Sequence, residues 1–110
     1  MYGLTEEDRI LVQKAALRYG IDITWSPEYR DHFIRNAELG QRMFWNPLTN
    51  NGDAFMLAVK LCLKVKYHEV LGQALVLTTL GHETQVNVEN CNGDRYAATR
   101  RAIVIASLDS

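Results

Sequence analysis

Residues 64–88, KVKYHEVLGQALVLTTLGHETQVNV, determine the fold, because here the apolar residues change from a helical period to a period of two. Polar and apolar residues alternate at the start of this segment: Lys64, Val65, Lys66, Tyr67 and His68. This alternation is typical of a strand with one solvated face. Residues 74–77 are apolar at each position, which favours a strand covered on both faces, and residues 85–88 alternate again. The segment therefore predicts a central strand between two more exposed strands.

The segments of the chain before and after residues 64–88 have apolar residues at helical spacing. A helix is predicted from about residue 6 to residue 19, because Thr5 and the acidic residues after it fit a helix start and Gly20 fits a left-handed end. Apolar residues at helical spacing predict a second helix over 51–63 and a third over 95–107. Three amphipathic helices can cover a sheet whose middle strand is apolar.

These elements predict an α+β domain in which helices pack on both faces of an antiparallel β-sheet, an αβα sandwich. A chain of 110 residues suits one domain. Its content of 47% hydrophobic and 23% charged residues is that of a globular protein rather than a disordered or membrane-embedded one. We expect residues 1–110 to form a single compact domain.

Residues 22–45 have two interpretations. Ser26 followed by Pro27 could begin a helix, whereas residues 33–34 and 43–45 could form a hairpin around Gly40. We favour the hairpin. Trp45 directly precedes a corner rich in turn-forming residues, and we expect its ring to be buried between the second helix and the sheet.

Charge and hydropathy exclude several classes of function. Twelve basic and thirteen acidic residues give a net charge of −1, without the basic excess that nucleic-acid binding usually requires. The start of the chain lacks the pattern of a signal peptide, and the longest apolar stretch, residues 74–80, is too short to span a bilayer. We expect a cytoplasmic protein without a membrane partner, in which Cys62 and Cys91 remain free thiols.

Two segments carry a resemblance to a known family. They are residues 45–54, WNPLTNNGDA, continued by 57–61, LAVKL, and residues 96–104, YAATRRAIV. The chain resembles the phage αβα-sandwich domain family, whose members are small proteins encoded by phages and prophages. The similarity keeps the same order over residues 45–107, and Phe55 and Met56 depart from the family pattern. It implies an αβα fold and a phage setting, hence the cytoplasm of a bacterial host, and it implies no catalytic residue.

The residue pattern predicts no catalytic, cofactor or metal site. The sequence contains no phosphate-binding loop and no nucleophile motif. The histidines and cysteines form no pair at metal-ligand spacing; these residues are His32, His68, His82, Cys62 and Cys91. We expect His68 on the solvent side of its strand and His82 in a turn. Cys62 is expected to be an inert core thiol of the second helix, and Cys91 to lie in an exposed loop. The protein is therefore predicted not to be an enzyme.

The remaining candidates are binding surfaces. Trp25, Tyr29 and Arg30 lie where apolar periodicity is poorest, so we predict that they are exposed and contact a partner. We predict that the chain is a non-enzymatic phage accessory protein that acts by binding another protein. The expected target is a host component of antiviral defence, as for an anti-CRISPR. The alternatives are a structural or self-assembling phage protein, or a nucleic-acid-binding module that uses the basic residues Lys64, Lys66, Arg100 and Arg101. Nucleic acid is the less expected partner, since protection of a sheet edge also explains the lysines.

Overall fold

The computed structural model describes residues 5–35 and 44–110. In these ranges the chain forms three α-helices, five strands and a short 3₁₀ turn. In chain order they are α1 (Glu6–Tyr19), β1 (Ile23–Ser26), β2 (Asp31–Ile34), α2 (Asn51–Lys60), β3 (Lys64–His68), β4 (Gln73–Leu77), β5 (Glu83–Asn87), the 3₁₀ turn (Val88–Cys91) and α3 (Arg95–Ser107). No helix among the described residues is both long enough and apolar enough to cross a membrane.

The helix boundaries follow from local capping. At the start of α1 the Thr5 side chain accepts a hydrogen bond from the backbone N–H of Asp8 at 3.0 Å, and Gly20 ends the helix with φ 93°. The Asp94 side chain caps α3 in the same way. Helix α2 ends at Lys60, earlier than expected, because Cys62 takes a left-handed φ of 56° and turns the chain toward β3.

Strands β3, β4 and β5 form an antiparallel sheet with β4 in the centre, as the sequence predicts. Helix α3 contacts all three strands, and α1 and α2 contact α3. The residues that face this helix layer on β4 and β5 are small or branched and buried: Ala74, Val76 and Val86. Ala98, Ala102 and Ala106 of α3 are completely buried, and their small side chains allow the helix to approach its neighbours closely. The radius of gyration, 13.8 Å, is close to the roughly 13 Å expected for a compact chain of this length.

The predicted α+β class with antiparallel sheets and packed helices is confirmed. Helix α3 packs on the face of the β3–β5 sheet that carries Ala74, Val76 and Val86. On the opposite face Leu75 pairs across the strands with Lys66 and Gln85, and Leu77 pairs with Lys64 and Glu83. Leu75 and Leu77 are half-buried on this face.

A second antiparallel sheet consists of β1 and β2, whose register pairs Ile23 with Ile34 and Ser26 with Asp31. This hairpin turns at residues 27–30, where Arg30 has φ 52°, and it is separate from the hairpin predicted around Gly40. Phe44 forms an antiparallel bridge with Phe33, as the predicted pairing would require. Gly40 and Met43 lie outside the described residues.

Candidate functional site

An open apolar groove of about 620 Å³ lies between α2, α3 and the edge strand β3. Its lining consists mainly of aliphatic and aromatic side chains: Asn51, Ala54, Phe55, Ala58, Val59, Cys62, Leu63, Val65, Tyr67, Arg95, Tyr96, Thr99, Arg100 and Ile103. No histidine and no carboxylate is among them. The groove is therefore a largely apolar surface.

The walls of the groove are unusually exposed for apolar side chains. Phe55 and Tyr96 each expose 65% of their surface, Val59 exposes 55% and Val65 exposes 43%. Scattered exposed apolar residues are common, but a contiguous group around one concave surface marks a site of interaction. These four residues form the strongest candidate site in the described part of the chain.

Helix α2 creates this exposure because it carries two apolar stripes. Ala54, Leu57 and Ala58 face the core and are buried. Phe55 and Val59 lie one turn apart on a second stripe, which faces the groove. A helix that is apolar on two sides is normally buried on both sides. In α2 the second stripe is instead exposed, and no described part of the chain covers it.

Two arginines of α3 supply the polar rim. The guanidinium of Arg95 lies over the Tyr67 ring, 5.1 Å from its centroid. Arg100 donates from Nε to the backbone oxygen of Leu48 and from Nη1 to Oδ1 of Asn51, each at 2.7 Å. Both acceptors are neutral, so these contacts fix the Arg100 side chain without neutralising its charge. The rim of the groove is therefore positive.

The structure corrects the expected places of both cysteines. Cys62 is exposed and lines the groove rather than the core, because it follows the end of α2 in a left-handed conformation. Cys91 is half-buried in the 3₁₀ turn. Burial raises the pKa of the Cys91 thiol, which disfavours the reactive thiolate.

The three residues predicted to contact a partner lie in β1 and in the turn that connects it to β2. Tyr29 is exposed and its ring lies 5.4 Å from the ring of Phe44. Arg30 is exposed at the end of the turn before β2. Trp25 is only partly exposed, a correction, because the Arg9 guanidinium lies 4.1 Å from its ring centroid. Contact with a residue sixteen positions away could not be read from the local pattern.

The four basic residues of the alternative site are not brought together. Lys64 and Lys66 are exposed on the face of β3 that points away from α3. Arg100 makes the contacts described above, and Arg101 donates from Nη1 to Oδ1 of Asp8 at 2.9 Å. The two arginines therefore connect α3 to its neighbours in the fold, on the other side of the sheet from the lysines.

His32 is completely buried, and neither of its ring nitrogens has a hydrogen-bond partner among the residues that the structure describes. Its ring lies 5.1 Å from that of Trp25 in an edge-on arrangement. Burial lowers the pKa of His32, an effect that the nearby Asp31 carboxylate opposes and the Arg9 charge reinforces. His82 is exposed in a turn and His68 is half-exposed on its strand, as expected. Within residues 5–35 and 44–110 no group of three potential metal ligands occurs.

The groove itself was not predicted from the sequence. One signal for it in the sequence was Phe55, an apolar residue of α2 outside the core stripe. Comparisons of the chain with protein-family models, with curated proteins and with solved structures gave no significant match. The function must therefore be argued from the groove.

Proposed function

We propose that this chain is a phage or prophage accessory protein that has no catalytic activity and acts by binding another protein through the groove between α2, α3 and β3. The observation that carries the proposal is the contiguous exposure of Phe55, Val59, Val65 and Tyr96. Aromatic and branched side chains in a concave site are typical anchors of protein interfaces. The phage setting is proposed from the resemblance of residues 45–54, 57–61 and 96–104 to the phage αβα-sandwich domain family. In that setting the proposed target is a component of host antiviral defence, as for an anti-CRISPR.

The chemistry of the lining supports the absence of catalysis at this site. Cys62 is the one thiol among the described lining residues, and the lining has neither a histidine nor a carboxylate that would activate it. The arginines of the rim could bind an anion, but they have no adjacent proton acceptor in the lining. The groove therefore supports recognition rather than turnover.

Affinity capture from a bacterial host lysate tests this proposal when paired variants are compared. Phe55→Gln removes an exposed apolar anchor from the groove. Leu17→Gln removes an apolar side chain that is 79% exposed on α1, outside the groove lining, and is the matched control. Glutamine is a good helix former, and changes at exposed sites usually alter stability by less than about 0.5 kcal/mol. The proposal expects Phe55→Gln to lose the captured partner and Leu17→Gln to retain it.

Other outcomes would favour the alternatives. A complex that survives Phe55→Gln but is lost in Tyr29→Ser would move the interface to the β1–β2 hairpin. Capture of nucleic acid that declines steeply between about 50 and 200 mM salt would support the nucleic-acid module. Concentration-dependent oligomers that Phe55→Gln dissolves would make the groove a contact between copies of the chain, as in a structural phage protein.

A further inference from the structure

We infer that the occupant of the groove is an amphipathic α-helix of the partner protein whose flanking positions are acidic; this inference rests on the proposed protein-binding function. Two other features of the molecule, the buried His32 and the exposed face of the β3–β5 sheet, give weaker evidence for a binding site. The buried His32 is completely closed off from solvent, and the exposed face of β3–β5 combines acidic with basic side chains.

The dimensions of the groove suit a short helix. The residues of α2 that line the groove extend from Asn51 to Val59, which corresponds to roughly 12 Å at the helical rise per residue. A guest helix lying along this wall would place about two turns in the groove, with apolar side chains at positions i, i+3 or i+4, and i+7. Phe55 and Val59 have the same spacing on α2 and would contact successive guest side chains.

The exposure of the groove walls favours a helix over a small apolar ligand as the occupant. A well-bound small molecule loses about 70 to 90% of its surface to its pocket. Here the aromatic walls themselves remain 65% exposed, so a lipid chain or similar ligand lying on the floor would leave both the walls and its own outer side in water. A helix is about 10 Å across with its side chains and would cover both walls.

The positive charge of the groove rim favours acidic residues beside the apolar side chains of the bound helix. Arg95 and Arg100 line the groove, and no aspartate or glutamate does. Neither arginine forms an ion pair with a carboxylate within the described ranges of the chain. Acidic residues beside the apolar anchors of the guest would therefore complete the rim, whereas lysines there would meet like charge.

A display library tests this occupant while the partner protein is still unidentified. The library holds segments of about 16 residues in two patterns, one with apolar residues at helical spacing and one with alternating apolar residues. The flanking positions vary among Glu, Lys, Gln and Ser. We expect sorting against the full wild-type chain to enrich the helical pattern with Glu flanks, and the Phe55→Gln chain to lose this enrichment.

Synthetic versions of the selected segment then locate the contact. In a Cys91→Ser variant, Cys62 is the remaining thiol and lies at the end of the α2 wall. The Glu-flanked peptide should slow the labelling of Cys62 and bind at least about tenfold more tightly than its Lys-flanked version. A central proline should abolish binding, because it breaks the guest helix. Arg95→Gln should reduce the preference for Glu over Lys without abolishing binding.

Three results would overturn the inference: enrichment of the alternating pattern, equal binding of Glu-flanked and Lys-flanked peptides, or no enrichment over the Phe55→Gln chain. Failure of this inference differs from failure of the proposed function. If the lysate partner depends on Phe55 but the library yields no acidic helix, the groove binds a protein of another shape. If capture is indifferent to Phe55, the groove is not the binding site.

Discussion

The carboxylate of Asp53, in the first turn of α2, accepts a hydrogen bond from the backbone N–H of Asn46 at 2.8 Å. Both residues are buried, and the Asn46 side chain continues the network by donating to Asp31 and accepting from the backbone N–H of Leu48. The network holds the chain entering α2 against β2. It thereby sets the position of the helix that forms one wall of the groove.

Removing this acceptor should destabilise the fold. Asp53→Ala leaves the buried N–H of Asn46 without its partner, and we expect the free energy of unfolding to fall by about 1 to 3 kcal/mol. Asp53→Asn retains a side-chain oxygen that can accept the bond and should cost less. Urea denaturation of the three proteins measures the difference. Equal losses in the two variants would show that the charge, not the hydrogen bond, matters.

Trp45 is buried, as the sequence predicts, with 4% of its surface exposed. Its ring stacks at a tilt on Tyr19 of α1, with 5.5 Å between the ring centroids, and its backbone N–H donates to the His32 oxygen of β2. Trp45→Ala should therefore lower the free energy of unfolding by about 3 to 5 kcal/mol, the usual cost of emptying a large aromatic site. Trp25→Ala, at a partly exposed ring, is the control and should cost less. An unchanged melting temperature for Trp45→Ala would contradict its structural role.

The boundaries of α1, α3 and the β3–β5 sheet could be predicted because local signals determine them. Thr5, Gly20 and Asp94 act on backbone groups within a few residues, and strand periodicity reports which side chains face α3. The turn of the β1–β2 hairpin could not be located in this way, since Arg30 adopts a positive φ without being glycine. The sequence Asn-Gly-Asp occurs at residues 51–53 and 92–94, before or at the start of a helix, and its aspartate has a different role in each place. Asp94 is itself the cap of α3, whereas Asn50 caps α2 and Asp53 accepts a hydrogen bond from Asn46.

The groove could not be predicted from the sequence, because its position depends on how α2, α3 and β3 pack together. Local periodicity shows that α2 has apolar residues on two sides, but it does not show which side the rest of the chain covers. That depends on where α3 and β3 lie, and hence on contacts between residues distant in sequence, such as Arg95 with Tyr67. The exposed position of Cys62 follows from the same cause, because only the folded chain shows that the end of α2 is open.

The two thiols should react at different rates. Cys62 is exposed beside the groove, whereas Cys91 is half-buried and its pKa is raised by burial. Because the thiolate is the reactive form, a thiol reagent at pH 7.5 to 8 should label Cys62 at least about tenfold faster than Cys91. Single variants Cys62→Ser and Cys91→Ser assign the two phases. Equal rates in the native state, with denaturant accelerating neither, would contradict the burial of Cys91.

Acidification should destabilise the protein through His32. The pKa of His32 in the folded chain is lowered below its ordinary value of 6.5, so the unfolded chain binds the proton more readily. The free energy of unfolding should thus fall as the pH decreases below about 6.5, with a slope of at most about 1.4 kcal/mol per pH unit, until the folded-state pKa is passed. His32→Phe keeps a ring beside Trp25 and should flatten this slope, whereas His82→Gln, at an exposed site, should not. A slope unaffected by His32→Phe would show that His32 is not the source of the acid sensitivity.

The lysines of β3 and the arginines of α3 should behave differently when neutralised. Lys64 and Lys66 are exposed on the sheet face away from the groove, so replacing both with Gln should leave the melting temperature and the captured partner unchanged. Arg101 reaches across to α1, where its Nη1 lies 2.9 Å from Oδ1 of a largely buried Asp8 side chain, and Arg101→Gln should cost about 1 kcal/mol. Thermal denaturation and affinity capture distinguish the two effects, since a structural contact changes stability and a surface contact changes binding. If the double lysine variant is instead stable but inactive, and the wild-type chain binds DNA or RNA more weakly as salt increases, then the sheet face rather than the groove is the functional surface.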